Sequence, residues 1–480
     1  MNGRRRVSAG ALVITLICLI GASALPVAAG TAATGDTQPV DVAGARLVVL
    51  DSESADQGSI FAVMLAGIGA QRPDETHIAH VSEHMTFMNP GPDGRTLAQF
   101  AIGVKGIFNG WTGPDHTQFE LTVPTADIPA ALERLIAGLF AQQIDPAALR
   151  AELTNRLTPE LKYMTSNSIS APLNASQLAL CHGTRYYEPR FTVPVTTATA
   201  EAVAAFRARE YSPARLVIIV CAQVDRELIA GTLAAALAGV PAGAPPVDEP
   251  VTLSPAGPTS MAVSGGMAPC VVAGLAFNDI KPEQQLGAHL AALLIGNRTQ
   301  SAGIQGLRPS PVIFGAQSLN GAEGLLIGFT PTGLSALMPD AERLMAAARG
   351  GIQSAFVSLR EQGPTDGELA DIAGSLGAEG SYPDEVPRSL TTAFNAGLRF
   401  IPAQGQLLRL REQPLTKEQV AAAIAGFLAD CTVTDPFSVY LEGETYARTV
   451  LTRTAIGLVV LVAAAYLVWR TLTRRRRRTA

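Results

Sequence analysis

Two histidines and a glutamate near the start of the chain have the types and the spacing of a metal site. They lie in the segment His80-Val-Ser-Glu-His84, which holds two of the six histidines of the chain, so the spacing is hard to reach by chance. Residues four apart lie on one face of a helix, one turn from each other. Two neutral imidazoles placed in this way can bind one Zn²⁺ and leave room for a third protein ligand and a water. The pattern therefore predicts that His80 and His84 are zinc ligands.

The glutamate between the histidines predicts hydrolytic chemistry. Zinc lowers the pKa of a bound water towards ~7, and Glu83 comes directly before His84, close enough to take a proton from that water. We interpret Glu83 as a general base that then acts as the acid. The alternative is an ordinary helix with two histidines on its polar side. A structural zinc site is a further alternative, but such sites normally have four protein ligands, often cysteines, and no cysteine lies near this segment.

Three blocks of the sequence resemble the insulinase/pitrilysin-type (inverzincin) zinc metallopeptidases. Residues 80–89 are similar to the family's H-x-x-E-H-x-x-F helix, residues 108–124 to its N-A-x-T turn and following strand, and residues 210–218 to its Y-x-P-x-N passage. The resemblance covers roughly residues 40–445 and points to the short two-domain members, such as mitochondrial processing peptidase subunits. It implies two similar α/β halves that form a clamshell around a peptide or an unfolded protein segment.

The resemblance also implies a third ligand, a glutamate on a later helix. Glu160 is the better candidate by position, and Glu152 takes the place of the family's earlier, supporting catalytic glutamate. The two glutamates are one residue farther apart than in the family's pattern. In addition, Pro159 lacks an N–H and would kink a helix. Which carboxylate is the ligand therefore stays open, as does an amphipathic helix on which both are solvated.

Three further residues are implied to bind substrate. Asn109 is expected to shape the site and to contact the substrate backbone, and Arg308 is expected to orient the substrate carbonyl as a catalytic residue. The family's tyrosine, which stabilises the oxyanion, falls on Phe314. Phenylalanine has no O–H donor, and loss of one such donor can cost ~10²–10³ in rate. We therefore keep two hypotheses open: a zinc metalloendopeptidase, and a peptidase-like binding or partner subunit with weak or no turnover on its own, in a homodimer or in a heterodimer with a related subunit.

The order of apolar runs and helical patterns predicts an α+β fold with an internal duplication. Segment 120–126 is similar to segment 327–333, and each leads into a helix that contains Glu-Arg-Leu. We expect an N-terminal metallopeptidase half with the zinc motif, a linker rich in proline and glycine, and a C-terminal peptidase-like half. These are predicted at residues 40–240, 241–258 and 259–445.

Both ends of the chain have membrane-directed patterns. Residues 1–29 resemble a secretory signal peptide. Residues 455–472 are long and apolar enough to predict a transmembrane helix, and the arginine-rich tail at 473–480 predicts a cytoplasmic C-terminus. These features predict a single-pass protein of the cell membrane whose catalytic body is extracytoplasmic, in the periplasm or outside the cell.

Charge and cysteine content agree with an exported body. The formal net charge is −5, and without the nine arginines of the two ends it is −5 − 9 = −14. An acidic body does not suit nucleic acid. Outside the signal peptide the chain has four cysteines, which allow three disulfide pairings, although a buried free thiol at Cys221 is equally compatible.

Overall fold

The computed structural model describes residues 38–91, 93–246, 249–257, 259–263, 268–337, 339–377, 386–401, 404–405, 408, 415–443, 454 and 457–464. The strands are β1 (Val40–Val42), β2 (Ala45–Leu50), β3 (Gln57–Met64), β4 (Ile107–Thr112), β5 (Thr117–Pro124), β6 (Leu216–Cys221), β7 (Thr259–Val263), β8 (Cys270–Asn278), β9 (Leu307–Leu319), β10 (Ala322–Pro331), β11 (Thr432–Val433) and β12 (Phe437–Gly443). The α-helices are α1 (Ile78–Met88), α2 (Leu97–Gly103), α3 (Ile128–Leu139), α4 (Pro146–Glu152), α5 (Thr158–Ser166), α6 (Ser170–Leu180), α7 (Ala200–Glu210), α8 (Arg226–Ala236), α9 (Gln285–Ser301), α10 (Leu334–Leu337), α11 (Ala341–Gln362), α12 (Asp366–Gly377), α13 (Arg388–Leu398) and α14 (Lys417–Asp430).

The first sheet has the strand order β1-β2-β6-β3-β5-β4. Its pairs are antiparallel except for β2 with β6. Strand β6 has the sequence LVIIVC and is buried along its whole length, as expected for a strand covered on both faces. Helices α1 and α3 pack on one face of this sheet, and α8 packs on α3. The strand β4 forms the edge of the sheet next to α1.

The second sheet has the order β7-β12-β8-β10-β9, with β11 paired to β8. Helices α9 and α11 pack on one face, and α14 packs on α9. Their apolar side chains form a second core with the inward residues of β8 and β10. The chain therefore has a mixed α/β fold with two sheets.

Each half covers the free face of the other half's sheet with one helix. Helix α6 packs on β8, β10 and β12, and Leu180 lies so close to Gly324 that a Cβ on that glycine would be 2.5 Å from Leu180 Cδ2. Helix α13 packs on β3 and β6, with Ala393 in a cluster with Phe61. Ser389 on α13 also hydrogen-bonds Ser59 on β3, with 3.0 Å between the hydroxyl oxygens. The two halves therefore share buried surface through exchanged helices.

The prediction of a transmembrane helix at 455–472 is wrong, and so is the predicted single-pass location in the cell membrane. No helix among the described residues is long and apolar enough to cross a membrane. Residues 455–456 and 465–480 lie outside the described part of the chain, as does the predicted signal peptide at 1–29.

The disulfide question is answered for the described residues. Cys181, Cys221, Cys270 and Cys431 all carry free thiols. The first three are buried, and burial raises the pKa of Cys181 and Cys270 to about 12. These thiols therefore behave as small apolar side chains of the cores.

Candidate metal centre

Helix α1 carries the histidine pair and is fixed by its apolar side. Val81 and Met85 are fully buried in the first core, whereas the side chains of His80 and His84 are 16% and 15% exposed. The two imidazole rings lie one turn apart, with 4.9 Å between their centroids. The predicted helix and the shared face of its two histidines are thus present.

The start of α1 is held by a buried carboxylate. His77 is the N-cap residue with φ +70°, and its backbone N–H donates to Glu188 Oε1 at 3.0 Å. Glu188 also accepts from Arg190 at 2.6 Å, and the His77 ring bonds to the carbonyl of Val193. Burial would raise the pKa of Glu188, but Arg190 and His77 lower it to about 2. The ionised carboxylate therefore anchors α1, and His77 has a structural contact of its own.

The helix with the two glutamates contains a π-turn at Leu153–Leu157, between α4 and α5. The hydroxyl of Thr158 donates to the carbonyl of Leu153, five residues earlier, at 2.7 Å. A π-turn inserts one residue without rotating the helix by a full α-helical step. It therefore absorbs the extra residue between Glu152 and Glu160, and both carboxylates reach the histidines. The wider turn also accommodates Pro159, so the kink expected at this proline does not remove Glu160 from the site.

His80, His84 and Glu160 are brought together in a geometry that fits a metal ion. Glu160 Oε1 is 3.6 Å from His80 Nε2, and Glu160 Oε2 is 3.4 Å from His84 Nε2. Ligand atoms around a tetrahedral zinc with bonds of ~2.0–2.1 Å are about 3.3 Å apart. Within the described part of the chain, this is the one group of three or more potential ligands whose atoms all lie within 4.8 Å of one another. Two imidazoles and one carboxylate are also the ligand set of catalytic zinc sites.

Glu152 hydrogen-bonds His84 and lies outside the group formed by His80, His84 and Glu160. His84 Nδ1 donates to Glu152 Oε1 at 2.8 Å, which leaves His84 Nε2 facing Glu160. Burial would lower the pKa of His84, but its hydrogen bonds to Glu152 and Glu160 raise that pKa to about 10. Burial likewise opposes ionisation of Glu160, but the histidines hold the pKa of this carboxyl well below its usual range. The two carboxylates therefore favour a positive charge between the histidines.

Glu83 points from α1 onto strand β4. Its carboxylate is buried and accepts a hydrogen bond from Thr112 Oγ1 at 2.8 Å. A Cβ on Gly110 would lie 2.6 Å from Glu83 Oε1, so only glycine leaves room for the carboxylate here. Burial raises the pKa of Glu83, whereas His80, His84 and the Thr112 bond lower it. A carboxyl with a raised pKa beside two histidines suits proton transfer.

A buried arginine, Arg207, hydrogen-bonds α1 and was not predicted from the sequence. Arg207 on α7 donates to the carbonyl of Ser82 at 2.6 Å and to Thr86 Oγ1 at 3.0 Å. Its other terminal nitrogen donates to the carbonyl of Gly138 at 2.9 Å. Burial lowers the pKa of Arg207 to about 10. An arginine at an otherwise apolar helix position, next to Phe206, was the one signal available in the sequence.

The remaining predicted residues lie elsewhere. Asn109 is next to Gly110 on β4, but its side chain takes the opposite face of the sheet and hydrogen-bonds Glu120. Arg308 is exposed on β9 of the second sheet. Phe314, on the same strand, packs against α9, where a Cβ on Gly296 would be 2.0 Å from its ring. The contacts of Phe314 are those of a core residue of the second half.

A comparison with known protein families finds a match over the segment that contains this site. Residues 47–174 match the model of the insulinase family, peptidase family M16. This segment contains the histidine pair, Glu83 and both later glutamates. The predicted resemblance to the insulinase family is therefore confirmed for residues 47–174. No protein of curated function matches the chain in sequence.

Solved structures share the fold at low sequence identity. A peptidase M16 inactive domain from Pseudomonas fluorescens has a TM-score of 0.61 at 18% identity, over 84% of this chain and 97% of that one. A protease from Helicobacter pylori has a TM-score of 0.63 at 13% identity, over 84% and 99%. Pitrilysin has a TM-score of 0.59 at 16% identity, over 85% of this chain and 45% of its own. These likenesses establish the fold of both halves.

Proposed function

We propose that this chain is a zinc-dependent endopeptidase that cleaves peptides or unfolded protein segments. One observation carries the proposal: the His80–His84–Glu160 triad and the carboxylate of Glu83 lie together beside the edge strand of a sheet. The family match supports peptide substrates, because residues 47–174 are similar to a peptidase family.

The edge strand suggests how a substrate is held. Strand β4 pairs with β5 on one side, and no described strand pairs with its other side. An extended peptide can add to such an edge through main-chain hydrogen bonds. Gly110 and Thr112 of β4 contact the Glu83 carboxylate, so a peptide bound along β4 passes close to Glu83. This arrangement selects segments that are unfolded, because only they can lie extended.

The residues of the chain then have separate tasks. Zinc held by His80, His84 and Glu160 would act as a Lewis acid that lowers the pKa of a water and polarises a carbonyl. Glu83 Oε2 accepts the hydrogen bond from Thr112, which leaves Oε1 to take a proton and return it to the leaving amine. Glu152 holds the His84 ring so that Nε2 faces the ion.

Two substitutions test the proposal. Purified wild-type protein should contain one zinc per chain and cleave a pool of unstructured peptides. Glu83→Gln should keep the zinc and lose cleavage, because an amide cannot accept the proton, whereas His84→Ala should lose the zinc as well. Glu133→Gln, an exposed glutamate on α3, is the matched control and should change neither property. Cleavage by Glu83→Gln at the wild-type rate, or equal and negligible zinc in wild type and His84→Ala, would refute the mechanism.

A second function, a peptidase-like binding or partner subunit with weak turnover, is favoured by Phe314. Its ring packs on α9 where the resemblance implies a tyrosine hydroxyl, so this half supplies no donor at that position. One of the similar structures is likewise described as an inactive domain. The same assay separates the two functions: a partner subunit would bind zinc and peptide but cleave only after its partner is added.

A further inference from the structure

A polar cluster lies on the face of the first sheet opposite α1. Phe119 and Leu121 of β5 point into the core under α1, so the alternating residues Gln118 and Glu120 point to the other face. On that face Glu120 lies between its two cross-strand partners, Phe61 of β3 and Asn109 of β4. Phe61 is covered by α13, whereas Glu120 is only half-buried. Part of the Glu120 side chain therefore stays accessible on this face.

The acceptors of this cluster lack a cationic partner. Glu120 receives a long bond from Gln118 Nε2, at 3.4 Å, and a side-chain hydrogen bond from Asn109. Gln118 is 6% exposed, and its side chain also interacts with the buried His116 ring, which carries no charge at pH 7. Of the described lysines, arginines and histidines, none forms an ion pair with Glu120 within 4.0 Å. A partly buried carboxylate with only neutral donors is costly, so Glu120 is poised to accept a donor that carries a positive charge.

The surroundings of Glu120 add no positive charge. Burial raises the pKa of Glu120 to about 7, and Glu83 adds to this effect while Asn109 opposes it. His116 is fully buried near the same face, and burial lowers its pKa to about 4, so this ring is neutral at pH 7. Trp111 of β4 contacts the His116 ring, with 5.0 Å between the ring centroids, and offers an apolar surface. A cation brought by a ligand would meet a carboxylate, an amide oxygen and an aromatic ring.

The distance between a peptide strand added to β4 and Glu120 determines which peptide side chains can reach this carboxylate. Neighbouring strands are about 4.8 Å apart, so a peptide strand added outside β4 lies about 10 Å from β5. Lysine and arginine carry their charge at the end of a long apolar stem, which can cross β4 along Trp111. Side chains of an added strand alternate between the two faces of the sheet. Only peptide residues whose side chains lie on the same face as Glu120 can therefore reach it.

We propose that Glu120, with Gln118 and Asn109, forms a subsite for a lysine or arginine side chain of the peptide that adds to β4. This inference rests on the proposed function, because it uses the same bound peptide. With this subsite the chain prefers peptide segments that contain lysine or arginine. The preference comes from the Glu120 carboxylate, on the sheet face opposite the metal ligands.

The test compares peptides as well as proteins. Zinc-loaded Glu83→Gln protein is titrated with fluorescent peptides in which one lysine at each position in turn is replaced by glutamine. At one position the lysine peptide should bind about ten-fold more tightly, the gain expected from a charge-assisted hydrogen bond. Adding Glu120→Gln should remove this preference, and adding Glu120→Lys should turn it towards a glutamate peptide. Adding Glu133→Gln, the same charge change on an exposed residue, should leave it intact.

The outcomes separate the inference from the function on which it rests. Equal binding of lysine and glutamine peptides at every position would overturn the inference. This comparison uses protein with an intact Glu120, so it does not depend on whether the Glu120 variants fold. A preference that survives Glu120→Gln would overturn it as well. Wild-type protein that cleaves without any basic preference retains the proposed function and rejects the subsite. A Glu120-dependent preference in a wild type that cleaves nothing retains the subsite and rejects the endopeptidase.

Discussion

The π-turn at Leu153–Leu157 should set the register of the metal site, and changes of helix length test this directly. Asn155 is exposed within the turn. Deleting Asn155 together with Pro159→Ala should give a regular α-helix in which the two glutamates are seven residues apart. Seven residues turn a helix through about 700°, within about 20° of two full turns. Glu152 and Glu160 should then still share a face, and zinc should still bind.

The opposite change should break the site. An alanine inserted after Asn155, again with Pro159→Ala, rotates the following helix by about 100°, which moves a Cα on a cylinder of radius ~2.3 Å by about 3.5 Å. Metal ligands tolerate deviations of about 0.2 Å. Glu160 would therefore leave the site. Structural zinc sites with four ligands bind with ~10–16 kcal/mol, or about 3 kcal/mol per ligand, so the zinc Kd should rise by about 10²-fold or more.

The assay is competition for zinc with a chromophoric chelator, with circular dichroism to confirm folding. Pro159→Ala alone is one control. An alanine inserted after Gly239, in the exposed turn that follows α8, is the control for an added residue elsewhere. We expect the deletion variant to bind zinc within about ten-fold of wild type. The proposed role of the π-turn in placing Glu160 is refuted if the insertion variant binds zinc as tightly as its controls, or if a folded deletion variant loses zinc.

Three further predictions concern single side chains. Glu152→Gln should raise the zinc Kd by about 10–100-fold, because the His84 ring loses its acceptor; an unchanged Kd in chelator competition would contradict this. Gly110→Ala should keep the zinc but lower kcat by about 10²-fold, because its Cβ would displace Glu83; peptide cleavage at the wild-type rate would show that the contact does not place Glu83. Glu188→Gln should destabilise the protein by about 3 kcal/mol at neutral pH. Because the pKa of Glu188 is lowered from 4.5 to about 2, its contribution is present above pH 4.5 and is lost as the pH falls towards 2, so urea unfolding of the two proteins should converge over that range; a constant difference would disprove the assignment.

The sequence could predict the parts of the site that depend on local spacing. His80 and His84 share a face because four residues make about one helical turn, and α1 is present as expected. Short apolar or alternating runs at 118–123, 271–277 and 324–329 likewise lie within β5, β8 and β10. In each case the pattern of apolar residues along a short segment was enough.

The parts that depend on packing could not be predicted from spacing alone. The spacing between Glu152 and Glu160, one residue longer than in the family's pattern, left the third ligand open, because nothing in the residue types marks a turn with hydrogen bonds five residues apart. The face taken by Asn109 depends on the register of β4 against β5, which a one-residue shift would reverse. Arg207 was missed because its role consists of hydrogen bonds to backbone carbonyls that are distant in the sequence.

The exchange of helices between the halves has a consequence during synthesis. The face of the first sheet that α13 covers includes Phe61, Val217 and Ile219, and its last strand ends at Cys221. Helix α13 begins at Arg388, so 388 − 221 = 167 residues must still be made before even the first residue of the covering helix exists. At ~5–20 residues per second the ribosome needs roughly 8–33 s for that stretch. Throughout this interval the nascent first half exposes an apolar sheet face to its surroundings, and the growing chain is a natural client for a chaperone that shields such surfaces.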